Sequence, residues 1–146
     1  MPSPATTQAD LEALADSLTA SADAMHARLM RDLRRRAPDG AAPLVPHTEA
    51  QALFDSEVLL RQRASALYLD AARLAAVGLG DMGARLLDVA ARAQAIIARL
   101  ARIKDVIELG GELLGLAAAI ASGRPERLAA PYEKVKHHLE AMALLE

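Results

Sequence analysis

Between Asp81 and Ala121 an apolar or small residue returns every three or four positions without a slip: Met82, Leu86, Val89, Ala93, Ile96, Leu100, Ile103, Ile107, Gly110, Leu114, Ala117 and Ala121. That spacing places all of them on one face of a helix. The stripe beside it changes character midway. It reads Asp81, Arg85, Asp88, Arg92, Ala95, Arg99 and Arg102, and then Val106, Leu109, Leu113, Leu116 and Ile120. One flank is therefore wet as far as Arg102, and beyond it both flanks are dry. A helix with this pattern has one neighbour along its first half and at least two along its second, so the chain must fold as a helical bundle.

Composition supports an all-α fold. Of the 146 residues, 53% are hydrophobic and only 2% aromatic, so the core is aliphatic and the length suits one domain, residues 1–146. Alanine and leucine, both strong helix formers, dominate. The absence of cysteine excludes disulfides, thiolate metal sites and cysteine catalysis. A formal charge of −2, with almost no aromatic side chains for base stacking, argues against nucleic-acid binding. Met1 to Gln8 lacks a basic start and an apolar run, so no secretory signal is expected and a cytoplasmic location is. The excess of arginine over lysine, with abundant alanine, suits a GC-rich bacterial genome.

Four helices are expected. Helix one spans about 7–36, starting at a Thr7–Asp10 capping box and lined by Leu11, Leu14, Leu18, Ala22, Met25, Leu29 and Leu33. Residues 37–48, with Pro38, Gly40, Pro43 and Pro46, form the linker. Helix two spans about 49–77, capped by Thr48 and Gln51. Its seam has Leu53, Leu60, Leu67 and Leu74 every seven residues, with Glu57, Ala64 and Ala71 between. Gly78 and Gly80 stop it, Asp81 caps the next, and so short a turn predicts that helices two and three are antiparallel neighbours. Helix three spans about 82–121 and is continuous or mildly bent, Gly110–Gly111 being the obvious weak point. Helix four spans about 125–144, opened by Pro125, with a kink or a start at Pro131 and a seam of Leu128, Tyr132, Val135, Leu139 and Met142. The expected architecture is an elongated antiparallel bundle of three long helices plus a shorter, Pro-kinked C-terminal helix. Its heptad spacing predicts coiled-coil-like packing.

In a hairpin turning near Gly80, Glu49 lies opposite roughly Gly111, so helix two leaves the end of helix three uncovered. Each exposed leucine there would forfeit about 1.5–3 kcal/mol. Helix four can fold back over it, since its five seam residues match Val106, Leu109, Leu113, Leu116 and Ile120 in number and spacing. The alternatives are a second protein chain, or a membrane. The apolar segment 106–121 is short for a span and contains Glu108 and Glu112.

No nucleophile elbow, phosphate loop or metal motif stands in the chain, so no catalytic, cofactor or metal residue is expected. Glu133, His137 and Glu140 share a face with His138 beside them, but they lack the paired Glu-x-x-His pattern of di-metal bundles. His26 and His47 have no sequence neighbour that makes them a ligand or a base. Asp81–Arg85 and Asp88–Arg92 are ordinary surface pairs. Glu57, in the leucine seam, has Arg61 one turn on as its partner, in a surface or a register-setting role. Gly111, Gly115, Ala119 and Gly123 recur every four residues, a ridge of small residues that lets a helix approach closely. Arg34, Arg35 and Arg36 end helix one, compensating its dipole or meeting an acidic partner.

The expected function is a non-enzymatic binding or assembly protein: a small bacterial adaptor, a chaperone or immunity-type partner, or a self-associating scaffold unit. Its expected partner is another protein or a second copy, as in a homodimer. The candidate contact residues are Glu108, Gly111, Glu112, Gly115, Leu116 and Ala119, with Arg34, Arg35 and Arg36. The alternative is a membrane-active protein that inserts residues 106–121.

Overall fold

The computed structural model describes residues 5–35, 40 and 44–143. They form five helices: α1 (Gln8–Arg34), α2 (His47–Val77), α3 (Gly83–Ile97), α4 (Ile103–Ala121) and α5 (Ala129–Ala143), with a 3-10 turn at Pro125–Arg127. No strand occurs among the described residues, and the helices pack as a bundle. α1 packs on α2 and α3, α2 on α4, α4 on α5, and α5 closes back onto α3.

Helix directions follow from contacts at the two ends of this ring. At the base, the Thr6 amide and hydroxyl both donate to the Gly80 carbonyl, at 2.9 and 3.0 Å. At the opposite end Arg28 of α1 reaches the Ile97 carbonyl at the close of α3. So α1 and α3 run the same way. Gly110 of α4 sits against Met25 and Ser56, and Gly123 against Leu74 and Val77, so α4 descends beside α2 in the same direction. The expectation that helix two adjoins helix three is therefore corrected. Gly78 and Gly80 adopt left-handed φ of 91° and 76°, and Leu79 between them is fully buried. That turn carries the chain across the base to α1. There Gly83 lies so close that a Cβ would stand 2.9 Å from an Asp10 carboxylate oxygen.

The expected third helix is two helices. Residues 98–102 leave the helix although they contain neither glycine nor proline, while Gly110 and Gly111 lie inside α4. The cause is remote in sequence. Arg28 is only 4% exposed, and its guanidinium donates to Asp32 at 2.9 Å, to the Ala101 carbonyl at 3.0 Å and to the Ile97 carbonyl at 3.4 Å. The last carbonyls of a helix lack internal partners, and a cation there also suits the helix dipole. α3 has no basic residue in its own last turn, so α1 supplies one. The break lets α4 turn back beside α2, which covers the very segment that a single long helix would have left overhanging.

Elsewhere the seams follow the periodicity. Leu53, Glu57, Leu60, Ala64, Leu67, Ala71 and Leu74 are the buried stripe of α2. Val106, Leu109, Leu113, Leu116 and Ile120 are buried in α4, and so are Leu128, Tyr132, Val135, Leu139 and Met142 at and within α5, which packs on it. α1 buries a wider face than its leucine stripe, adding Ala15, Ser21, Arg28 and Asp32, because α2 and α3 flank it and Met25 reaches α4. The Thr7–Asp10 capping box forms. The one expected at Thr48 does not, since α2 starts at His47 after Pro46 with no side-chain cap. Met82 rather than Asp81 precedes α3, again without a side-chain cap. Pro131 lies in the first turn of α5, where its missing N–H costs nothing, so it marks a start rather than a kink.

Candidate functional site

Three places on this bundle hold side chains not fully accounted for by packing. The first is the outer groove between α4 and α5, of about 500 Å3, lined by Glu108, Gly111, Glu112, Gly115, Pro131 and Lys134. The two helices are held together here by His138 of α5. Its Nδ1 lies 2.6 Å from Glu112, and its Nε2 lies 3.8 Å from Glu108 on the other side. The ridge of small residues faces outward. A Cβ on Gly111 or Gly115 would meet nothing within 4 Å, whereas one on Gly110 would strike the Met25 methyl at 2.8 Å. Close helix approach inside the bundle is thus the work of Gly110, and Gly111 and Gly115 leave open space above the groove floor.

The structure brings together four of the expected contact residues, Glu108, Gly111, Glu112 and Gly115. Ala119 is half-buried on the same helix. Leu116 is corrected: at 1% exposure it belongs to the core and offers no surface to a partner. Arg34 and Arg35 are exposed at the end of α1, and Arg35 borders a different hollow with Leu44, Val45 and Glu49. Arg36 lies outside the described residues.

The second place is the outward face of α2, which the sequence reading passed over. Leu59, Leu69 and Val77 are 48%, 87% and 58% exposed. With Ala66 and Ala76, also exposed, they fall within one arc of the helix, roughly 100° wide at 100° per residue, which also carries Asp55, Gln62 and Arg73. Phe54 and Tyr68, both near half exposed, border its α1 side, where the Tyr68 hydroxyl meets Asp16. The signal was present as leucines outside the heptad seam. A single exposed leucine needs no explanation, but a run on one face does.

The third is a charged cluster across α1 and α2. Glu57 is buried in the seam. It accepts from Arg61 at 3.0 Å and pairs with His26 Nδ1 at 2.9 Å, while Arg61 donates to Asp23 at 2.7 Å. Hydrogen bonds to Asp23 and then to Glu57 hold the Arg61 guanidinium above the ordinary arginine range. His26, which has no useful neighbour in sequence, thus gains one in space. A histidine–carboxylate pair can relay a proton. The cluster ties α1 to α2 through His26–Glu57 and Asp23–Arg61.

Glu133, His137 and Glu140 are exposed, while His138 turns inward, so they do not converge. Among the described residues no group of three metal-binding side chains forms, and no helix is long and apolar enough to cross a membrane. No family model, no curated protein and no solved structure matches the chain.

Proposed function

We propose that this chain is a non-enzymatic binding or assembly protein whose contact surface is the outward face of α2, with the adjoining α4 and its open groove. The observation that carries this reading is Leu69. At 87% exposure, and on the same side of α2 as Leu59, Ala66, Ala76 and Val77, it is an aliphatic side chain left open on a face that Gln62 and Arg73 share. α4 runs alongside α2 and adds the small residues Gly111 and Gly115, over which a partner helix finds no obstructing side chain. An aliphatic helix face beside a smooth ridge suits another helix. Glu108, Glu112 and Lys134 at the groove supply charges that set its orientation. The partner is a second copy of the chain, as in a homodimer, or a small helical protein of the same cell.

The experiment compares the full chain with its Leu69→Glu and Gly111→Leu variants by sedimentation equilibrium and by cross-linked capture in lysate of the source cell. The expected result is a larger assembly, or one defined captured protein, with the wild-type chain and its loss in both variants. A monomer at all concentrations, together with captured material that the variants retain unchanged, overturns the reading.

A further inference from the structure

The joint between α3 and α4 is built at a cost that stability alone does not explain. Residues 98–102 read Ala-Arg-Leu-Ala-Arg, all good helix formers, and yet they leave the helix. What holds them out is the buried Arg28–Asp32 pair. A buried ion pair is a weak stabiliser compared with apolar side chains of the same volume, so its contribution lies in the shape it fixes. That shape is a hollow of about 530 Å3 on the outer side of the joint, against the end of α5. A helix continuing through the joint would remove it.

The lining is amphipathic. Leu100 and Met142, both buried, form an apolar floor. Arg99 and Arg102 stand at the rim, and His138 closes the wall with its ring fixed by Glu112. Among the described residues the one carboxylate at the rim, Asp105, is bound by Arg102 at 3.2 and 3.3 Å. Among the described residues Arg99 makes a single bond, from Nε to the Ala95 carbonyl, and meets no carboxylate, so its terminal amino groups have no partner among them. The first turn of α4 opens beside it with no side-chain cap, which also favours negative charge. Volume, an apolar floor and a cation with no carboxylate partner among the described residues are what a site for a small amphiphile requires.

We propose that this hollow binds a small aliphatic monocarboxylate, with its chain on Leu100 and Met142 and its carboxylate on Arg99. The site is separate from the α2 surface, and its occupation does not depend on any partner there. Arg99 offers a forked, charge-assisted contact that a neutral or cationic head group cannot use.

The test is isothermal titration of octanoate into the full chain, with octylamine and octanol as matched probes. The expected result is saturable binding of one octanoate per chain, about tenfold weaker in Arg99→Ala, abolished in Met142→Trp, and at least about tenfold tighter than octylamine. Because Met142 is buried, Arg99→Ala, at an exposed residue, is the variant expected to keep the wild-type circular dichroism and denaturation midpoint. Absence of saturable octanoate binding overturns the proposal. So does binding that Arg99→Ala leaves unchanged, or that octylamine equals.

Discussion

Replacing Arg28 by methionine tests the central architectural claim, that one buried guanidinium breaks the long apolar helix into α3 and α4. Arg28 is held by Asp32 at 2.9 Å and by the Ala101 and Ile97 carbonyls at 3.0 and 3.4 Å. Removing it leaves a buried carboxylate, the last carbonyl of α3 and the Ala101 carbonyl of the joint without their donor. Breaking a buried pair by deleting one partner costs about 3–5 kcal/mol. Arg31 stands 3.6 Å from the other oxygen of Asp32 and can swing part way to replace it, which places the expected loss near the lower end, about 3 kcal/mol. Against the roughly 5–15 kcal/mol of a whole domain that is a large share. At about 2–4 °C per kcal/mol the melting temperature falls by roughly 6–12 °C. The double variant Arg28→Met/Asp32→Leu removes the stranded charge and recovers much of the loss. What it does not recover is the unpaired carbonyl share, about 1–3 kcal/mol. Urea denaturation followed by circular dichroism gives the free energies, and amide exchange across residues 98–106 shows whether the joint itself loosens. An Arg28→Met chain within about 0.5 kcal/mol of wild type, with unchanged exchange at the joint, would refute the account of the break.

Four further outcomes follow from burial and clearance. Gly111→Ala, where a Cβ meets nothing, should stabilise the chain by about 1 kcal/mol through helix propensity, while Gly110→Val should destabilise it against the Met25 methyl; chemical denaturation of the pair gives opposite signs. Ser21→Ala removes a buried hydroxyl with no hydrogen-bond partner, and its unfolding midpoint should rise, by about 1 kcal/mol in free energy. Leu139→Ala, in the buried seam of α5, should cost about 2–5 kcal/mol, whereas Leu69→Ala on the open face of α2 should stay within about 0.5 kcal/mol, a contrast that thermal melts resolve. Glu57→Leu extends the leucine seam and should leave stability equal or up to about 4 kcal/mol higher in a urea titration, since both His26 and Arg61 keep access to water.

The periodicity of this chain records, residue by residue, which sides of each helix are dry. That is why the α2 stripe from Leu53 to Leu74, the stripe Val106, Leu109, Leu113, Leu116 and Ile120 of α4, and the five buried residues at and within α5 were all legible in advance. The change of character at Arg102 was legible too, and it coincides with the break. In the candidate site the same pattern gave Gly111 and Gly115 as a smooth ridge between Glu108 and Glu112, without telling whether a neighbouring helix already lay on it. Leu116, also expected as a contact residue, is spent on the buried stripe of α4. Period alone does not name a neighbour. Antiparallel adjacency of helices two and three was the economical inference from a short turn, and Leu79 buried between two left-handed glycines sends the chain to α1 instead. The clue to the joint lay in α1, where Arg28 and Asp32 flank the leucine stripe one turn apart, spaced like any surface pair.

The sequence by itself determined an aliphatic all-α bundle and its main seams, because these depend on local spacing and on the transfer of apolar side chains from water. Only the tertiary structure decided that the long apolar segment is two helices, that its first half has two neighbours, α1 and α5, rather than the one expected, that α4 lies beside α2, and that α2 leaves Leu59, Leu69 and Val77 open. Those outcomes depend on contacts between residues as far apart as Arg28 and Ala101, 73 positions along the chain. A guanidinium buried against the end of a helix acts through geometry that no window of neighbouring residues contains.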